Sequence, residues 1–492
     1  MYNNLIYFLV VIFILSTATA SEIPTLSPWQ SFPLFIGVLF VFYRIAGKQY
    51  QIAFQQRSSA AYFSVEKKLS ILAVILFVSS VFVFDFKYYL APLSVGGFLP
   101  ILENLGGILL FFLFFSIIWV QAHSVYQILF NSKCSLGHFV YSNIRTNLSI
   151  LFPWLILSLI FDLLHGLPLP KMQEFLQSTW GDLFLFFFLI LLLALLFPPM
   201  IRRLWDCTPM QPGLQRLEIE ALFHQQNFSS EILCWPLFEG KALTAAVMGI
   251  VPRLRYILLT PALLAALEKD ELESVLAHEI GHVKHYHLLL YMLLLFSFSL
   301  LTGALSESLI FCFFRCDGLA WLRSQLQLPA ETLLVYFVSL ALFIFMLFYF
   351  RFLFGYFIRN FERQADLYVF QAQENSFSLI RSFEKISAMS GNIRNKKNWH
   401  HFGIGERIDF LLQCEKDREH IRQHNHKVYT SLVVYFILTG IVTWFLYQQD
   451  TATLISNQQK YYAQRATQYS SASTASRSVS KKRAGKKSIG DR

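Results

Sequence analysis

The stretch "ELESVLAHEIGHVKHYHLLLYML", residues 271–293, changes from charged to apolar within a few helical turns. Asp270 and Glu273 form a capping pair that predicts a helix beginning at Glu271. The apolar residues from about Leu288 predict that the same helix continues into a membrane. Its polar half is therefore either a functional site or only the polar end of a transmembrane helix.

The composition indicates a membrane protein. Of 492 residues, 55% are hydrophobic and only 15% are charged, whereas a soluble domain must cover its core with polar surface. The net charge of +10 lies largely beside apolar blocks and at the end of the chain, which favours contacts with lipid headgroups over nucleic-acid binding. The six cysteines are scattered and lack the spacing of a zinc ribbon.

Apolar blocks predict a polytopic α-helical membrane protein with about eight spans after a leader. Residues 5–16, followed by "TATA", have the short core and small-residue site of a signal peptide, and a retained first helix is the alternative. The blocks lie at roughly 32–46, 69–84, 104–121, 147–164, 182–199, 288–313, 332–357 and 429–447.

Loop charge predicts the orientation of the polar segments. Positive charge in the first and third loops and at Arg202 and Arg203 places the two long polar stretches in the cytoplasm. The same count places the basic tail outside, which the positive-inside rule disfavours.

The predicted segments are residues 1–20, a signal peptide or first membrane helix; 21–200, an N-terminal membrane domain of about five spans; 201–287, a cytoplasmic part; 288–357, a transmembrane hairpin; 358–428, a second cytoplasmic part; 429–447, the last span; and 448–492, a basic, Ser-rich disordered tail.

The HExxH sequence within the opening stretch predicts a metal site. His278 and His282 are four residues apart, so on a helix they share one face and can bind one zinc ion together. Glu279, beside the first histidine, is then the general base for the attacking water. The alternative is an accidental HExxH, and a third protein ligand would distinguish the two because catalytic zinc normally has three.

The topology restricts where that third ligand can lie. Two spans after His282 the chain returns to the same membrane face at "FIRNFERQADLYVF", residues 357–370, which contains Glu362 and, one turn later, Asp366. A hairpin of two neighbouring spans would bring Glu362 beside the histidine pair.

This combination resembles the integral-membrane zinc metallopeptidases, the family of HtpX-like and type I CAAX prenyl (Ste24-like) endopeptidases. Their HExxH is followed by an RxxExxAD sequence, which Arg359, Glu362, Ala365 and Asp366 match here. The resemblance implies a small α+β zincin-like domain interrupted by a transmembrane hairpin, with one zinc ion on His278, His282 and Glu362. It also implies that Asp366 and Arg359 support the ligands, Asp366 by a hydrogen bond to a ligand histidine.

Two further stretches resemble the same family. In "WHHFGIGERIDFL", residues 399–411, His401 takes the place of the histidine that binds substrate or the oxyanion, Arg407 that of a substrate-binding arginine, and Phe402 replaces the usual proline.

Residues 241–267 predict a strand, a turn at Pro252, a second strand and a helix. The family binds substrate along such an edge strand by β-augmentation. The corresponding residues here are Thr244, Ala245 and Ala246, with Thr244 in the usual Asn position.

His285 and His287 extend the histidine cluster. A second metal is one reading, but their position at the membrane interface favours contacts with headgroups.

The predicted function is a zinc metalloendopeptidase that cleaves membrane-associated or misfolded proteins at the cytoplasmic face of a bacterial inner membrane. Its predicted partners are peptide or protein substrates and membrane lipid. The alternatives are a CAAX-type or signalling protease, and a non-proteolytic receptor or transporter that carries a protease-like domain.

Overall fold

A computed structural model describes residues 2–17, 24–56, 58–167, 170–176, 178, 181–237, 242–315, 330–390, 394 and 402–447. His401 and the basic tail, on which two of the predictions fall, lie outside these residues. Helices dominate the described part, as the composition predicts. The chain is a polytopic, mainly helical membrane protein, and its described residues include a four-stranded sheet.

The N-terminal helices form one apolar bundle. They are α1 (Tyr2–Thr17), α2 (Pro28–Gln55), α3 (Ser59–Val83), α4 (Phe86–Leu90), a 3₁₀ turn (Ala91–Ser94), α5 (Pro100–Leu129), α6 (Leu136–Gly166), α7 (Pro170–Leu176) and α8 (Gly181–Leu204). Helix α5 packs against α1, α2, α3 and α6 because its phenylalanines fill the space between them. Phe111, Phe114 and Phe115 are fully buried, and the ring of Phe8 from α1 lies 5.7 Å from that of Phe111.

The helices long and apolar enough to cross a membrane number six among the described residues, or eight if each of two bent pairs counts as one span. Each of the eight overlaps one predicted block, and most are longer than the block. For example, the block at 32–46 lies inside the 28-residue helix α2. One bend falls after Ser149, one turn before Pro153, whose ring cannot accommodate the carbonyl of the residue four positions earlier.

A small α+β region follows the bundle. It contains β1 (Thr208–Pro209), α9 (Leu214–Gln225), β2 (Glu231–Cys234), β3 (Ala245–Met248), a 3₁₀ turn (Pro252–Leu254), β4 (Tyr256–Leu259), α10 (Pro261–Ala266) and α11 (Lys269–Lys284). The strand order is β1-β2-β4-β3, with β2 parallel to β4 and the outer strands antiparallel. Strand β3 therefore forms an edge, and the predicted strand, turn, strand and helix at 241–267 are confirmed.

The remaining elements are two long apolar helices, a run of shorter helices and a final long helix. They are α12 (His287–Arg315), α13 (Ala330–Phe348), a π-helical turn (Tyr349–Phe354), α14 (Gly355–Leu367), α15 (Val369–Ala372), α16 (Phe377–Met389), α17 (Ile404–Lys416) and α18 (Glu419–Tyr447).

The chain divides into two compact units. The first comprises Met1–Phe296 and Arg351–Thr430, and contains the N-terminal bundle, the sheet and the polar helices. The second comprises Ser297–Phe350 and Ser431–Arg492. Within the second unit, α12 and α13 form an antiparallel pair, since Phe298 stacks on Phe345 while Phe313 contacts Phe337. The finer segment boundaries predicted from the sequence stay predictions.

Helix α11 differs from its prediction at both ends. It begins at Lys269, where Glu271 accepts a hydrogen bond of 2.9 Å from the backbone N–H of Glu268, whereas Asp270 pairs with Arg381 on α16 instead of capping the helix. At the other end, α11 stops at Lys284 and does not continue into the membrane. Tyr286 has a φ of +58°, in the left-handed region that interrupts a helix, and α12 starts afresh at His287.

Candidate metal centre

Three buried side chains on two helices converge on one point. His278 and His282 lie one turn apart on α11, and their Nε2 atoms are 3.3 Å from each other. Glu362 of α14 places Oε1 3.4 Å from Nε2 of His282 and Oε2 3.8 Å from Nε2 of His278. One ligand atom from each of the three residues lies within 4.8 Å of the others. The structure thus brings together the three side chains that the sequence predicts as zinc ligands.

Small residues allow α11 and α14 to approach this closely. A Cβ atom on Gly281 would lie 2.8 Å from Cβ of Tyr368 and 3.1 Å from Cα of Ala365, both tighter than ordinary contacts. Gly281 stands between Glu279 and His282 in the motif, and Ala365 precedes Asp366. The glycine and alanine therefore set the spacing at which Glu362 reaches the histidines.

His278 contacts a carboxylate that is itself paired with an arginine. Its Nδ1 lies 2.9 Å from Oδ1 of Asp366, and Arg407 of α17 donates to both oxygens of that carboxylate, at 2.8 Å and 2.5 Å. Arg407 also lies over the ring of Phe383, 4.2 Å from its centroid. Burial alone would lower the pKa of His278, but the hydrogen bond and the negative charge of Asp366 outweigh it and raise the pKa above the usual histidine value.

His282 lies in a different environment from its neighbour. Burial is the main reason that its pKa falls to about 4; the Glu362 carboxylate opposes that fall, and His278 adds to it. The imidazole is therefore neutral at pH 7, as a metal ligand must be. Its Nδ1 lies 3.0 Å from Nδ1 of His287, which is fully buried and therefore does not contact headgroups as its sequence position suggested.

Glu279 lies beside these three residues and contacts the sheet. Its side chain is buried, and burial together with the charge of Glu362 raises the pKa of its carboxyl group above the usual value. The backbone N–H of Val247, on edge strand β3, donates a hydrogen bond to it. A carboxyl group with a raised pKa is suited to accept and return a proton near neutral pH.

The predicted substrate strand lies at the open edge of the sheet. Ala245 and Ala246 pair with Leu259 and Leu258 of β4, and both are only partly buried. The carbonyl of Thr244 accepts hydrogen bonds from both the backbone N–H and the hydroxyl of Thr260, which fixes the start of the strand. A contact between these residues and a substrate stays a prediction.

The two predicted arginines lie in different places. Arg359 is partly exposed on α14, and the guanidinium that contacts Asp366 is that of Arg407. From the sequence, Arg407 was predicted to bind substrate and Arg359 to support the ligands. The structure places Arg407 against Asp366, and the roles of both arginines toward substrate and metal stay predictions.

No pattern in the sequence predicts the surroundings of Arg363. Its guanidinium stacks on Phe402 and Phe410, 4.1 Å and 4.3 Å from the ring centroids, and pairs with Glu406 at 3.2 Å. Phe402, which stands in the position of the family's proline, thus packs on Arg363 two residues before α17 begins.

Comparison with known proteins bears on the class of this site. Residues 216–415 match the model of Peptidase family M48. Over these residues the match confirms the predicted resemblance to metallopeptidases. The crystal structure of S. mikatae Ste24p is similar, with a TM-score of 0.47 and 17% identity over 79% of this chain and 99% of that chain. No curated protein matches the sequence.

Proposed function

We propose that this chain is a zinc-dependent endopeptidase that cleaves membrane-associated or misfolded proteins at the cytoplasmic face of a bacterial inner membrane. The observation that carries the proposal is the convergence of His278, His282 and Glu362 beside Glu279.

The donor set fits zinc. Two imidazoles and one carboxylate are the ligands of many catalytic zinc sites, and all three side chains are buried. His278 and His282 each have Nε2 directed at the common point, while Nδ1 of each contacts a polar partner. This arrangement is typical of metal-binding histidines, whose second nitrogen is held by a hydrogen bond. Peptidases of family M48 are in general zinc-dependent.

The chain's own residues supply proton transfer and substrate alignment. Zinc, when bound, lowers the pKa of a water ligand and polarises the scissile carbonyl. Glu279 takes the proton from the attacking water and passes it to the leaving amine, a role that its raised pKa favours. Strand β3 holds the substrate in an extended conformation along its open edge, with Thr244, Ala245 and Ala246 in backbone contact. His401 stabilises the developing oxyanion.

The cytoplasmic orientation rests on loop charge. Arg202 and Arg203 stand at the end of α8, directly before the sheet, and the positive-inside rule places such residues in the cytoplasm. Because α11 precedes apolar α12, and α14 follows apolar α13, the proposed site lies close to the membrane on that same side. A site there is accessible to peptide segments that emerge from the bilayer.

Metal analysis with parallel proteolysis tests the proposal. Purified wild type should contain one zinc ion per chain and cleave an unfolded substrate such as casein. Glu362→Ala should lose both properties, whereas the control Glu384→Ala, which removes an exposed carboxylate paired with Arg394, should keep both. Full zinc content in Glu362→Ala would contradict the ligand assignment.

Comparison of prenylated and unprenylated peptides tests the substrate class. Equal cleavage supports a general endopeptidase, and cleavage of prenylated peptides alone would favour the CAAX-type alternative. Stoichiometric zinc without cleavage of any substrate would favour a receptor or transporter.

A further inference from the structure

The break between α11 and α12 directs a third histidine back to the proposed metal site. Because Tyr286 adopts a positive φ, the chain turns sharply, and His287 comes to lie beside His282 instead of one turn further along the same helix. The ring of His287 is fully buried, with Nδ1 3.0 Å from Nδ1 of His282.

From His287 the hydrogen bonds continue to the last helix. Nε2 of His287 lies 3.0 Å from Oε1 of Gln364, on α14. The side-chain amide of Gln364 in turn donates to Oδ1 of Asn425, on α18, at 2.9 Å. Four side chains from four helices thus form one chain of contacts that ends at His282; the first three are buried and Asn425 is partly buried.

The direction of these hydrogen bonds is set if His282 binds metal through Nε2. Its Nδ1 then carries the proton and donates to Nδ1 of His287, which accepts as a neutral ring. That ring carries its own proton on Nε2 and donates it to the carbonyl oxygen of Gln364. Gln364 then donates to Asn425, so every donor along the chain meets an acceptor.

We propose that His287 is a positioning residue that fixes the ring orientation and the tautomer of His282, with Gln364 on α14 and Asn425 on α18 as its anchor. This inference rests on the proposed function, in which His282 binds zinc. It makes His287 the counterpart of Asp366, which contacts the other ligand histidine in the same way but with a charged group.

A packing role is the competing explanation for His287. Its ring stacks on that of Phe361, with the centroids 4.6 Å apart and the planes at 11°. A phenylalanine at position 287 would keep this stacking but could not accept a hydrogen bond from His282. An asparagine would lose the stacking but keep an acceptor, because its Oδ1 is placed much as Nδ1 of histidine is.

The test is therefore the zinc affinity of His287→Asn and His287→Phe, measured on the full-length protein in detergent by competition with a chromogenic chelator. We expect His287→Phe to weaken zinc binding by about 10- to 100-fold, as the loss of such partners does elsewhere, and His287→Asn to recover most of it. The absorption spectrum of the cobalt-substituted protein should change in His287→Phe more than in His287→Asn. Equal or tighter zinc binding in His287→Phe than in His287→Asn would overturn the proposal.

Two further variants keep the test valid if His287→Phe does not fold. Gln364→Met removes the acceptor for His287 at nearly constant volume and should weaken zinc binding by less than His287→Phe does. The matched control His285→Phe replaces a ring that stacks on His287 but bonds the Tyr429 hydroxyl, and it should leave zinc affinity unchanged. Wild-type affinity in Gln364→Met, or an equal loss in His285→Phe, would contradict the proposal, whereas absence of zinc from the wild type would overturn the proposed function itself.

Discussion

The two histidines of the candidate metal centre are held in chemically different ways. His278 contacts the Asp366 carboxylate, which Arg407 neutralises from α17, so that side is an ion pair. His282 contacts the neutral ring of His287, and the chain continues through side-chain amides to α18.

The difference depends on whether a cation is available beside each histidine to neutralise a buried negative charge. Burying an ionised carboxylate is costly unless a cation compensates its charge, and the polar helix α17 supplies one for Asp366. His287, by contrast, is the first residue of an apolar helix, where a neutral chain of hydrogen bonds avoids the cost of burying charge. The charged side should therefore be the more sensitive to loss of one partner.

The largest effect is expected from Arg407→Met. This variant leaves the Asp366 carboxylate buried without its cation, which typically costs about 3–5 kcal/mol. We expect a corresponding fall in the unfolding free energy, measured by chemical denaturation in detergent, and a smaller fall in the double variant Asp366→Asn/Arg407→Met. The control Arg394→Ala breaks an exposed pair and should cost at most about 1 kcal/mol. Equal unfolding free energies of the single and double variants would show that Arg407→Met does not leave an uncompensated charge on Asp366.

The next largest effect is expected from Asp366→Asn on zinc affinity. Asparagine keeps an acceptor for Nδ1 of His278 but removes the charge that makes this imidazole a stronger ligand. We expect about 10- to 100-fold weaker binding in a chelator competition, and a smaller loss for His287→Asn, which removes no charge. A larger loss of zinc affinity in His287→Asn than in Asp366→Asn would contradict the expectation that the charged contact of His278 is the more sensitive one.

The smallest effect concerns the turn that creates the neutral side. Tyr286 is exposed, so its side chain contributes little, but its positive φ is essential to the path of the chain. Tyr286→Asn should change the unfolding free energy by at most about 0.5 kcal/mol, because asparagine tolerates this conformation. Tyr286→Val should lower the unfolding free energy by about 1–2 kcal/mol, since a β-branched residue seldom adopts a positive φ. It should also weaken zinc binding, because a change in the turn would displace His287. Wild-type stability and affinity in Tyr286→Val would show that the turn is not required.

The sequence predicted the parts of the site that depend on local spacing. The pair His278 and His282 follows from the helical period, and Glu362 follows from a membrane hairpin that returns the chain to one face. The apolar blocks likewise predicted the positions of the membrane helices, because hydropathy is a property of composition over some twenty residues.

The contacts that support the proposed ligands could not be predicted in the same way. His287 was expected at the lipid headgroups because nothing in "VKHYHLL" marks Tyr286 as a helix break; tyrosine seldom adopts a positive φ. Arg407 was expected to bind substrate from its place in the family motif; its contact with Asp366, 41 residues away in the sequence, leaves no local signal. Both contacts depend on tertiary packing rather than on local pattern.

The most direct test of the central claim is the zinc content and peptide-cleavage rate of Glu279→Gln. Glutamine keeps the shape of the side chain but cannot take a proton from water, and Glu279 is not among the three proposed ligands. We predict one zinc ion per chain, as in the wild type, and a cleavage rate lower by about 10²- to 10⁴-fold. Cleavage at the wild-type rate would contradict the assignment of Glu279 as general base, and loss of zinc would contradict its separation from the metal ligands.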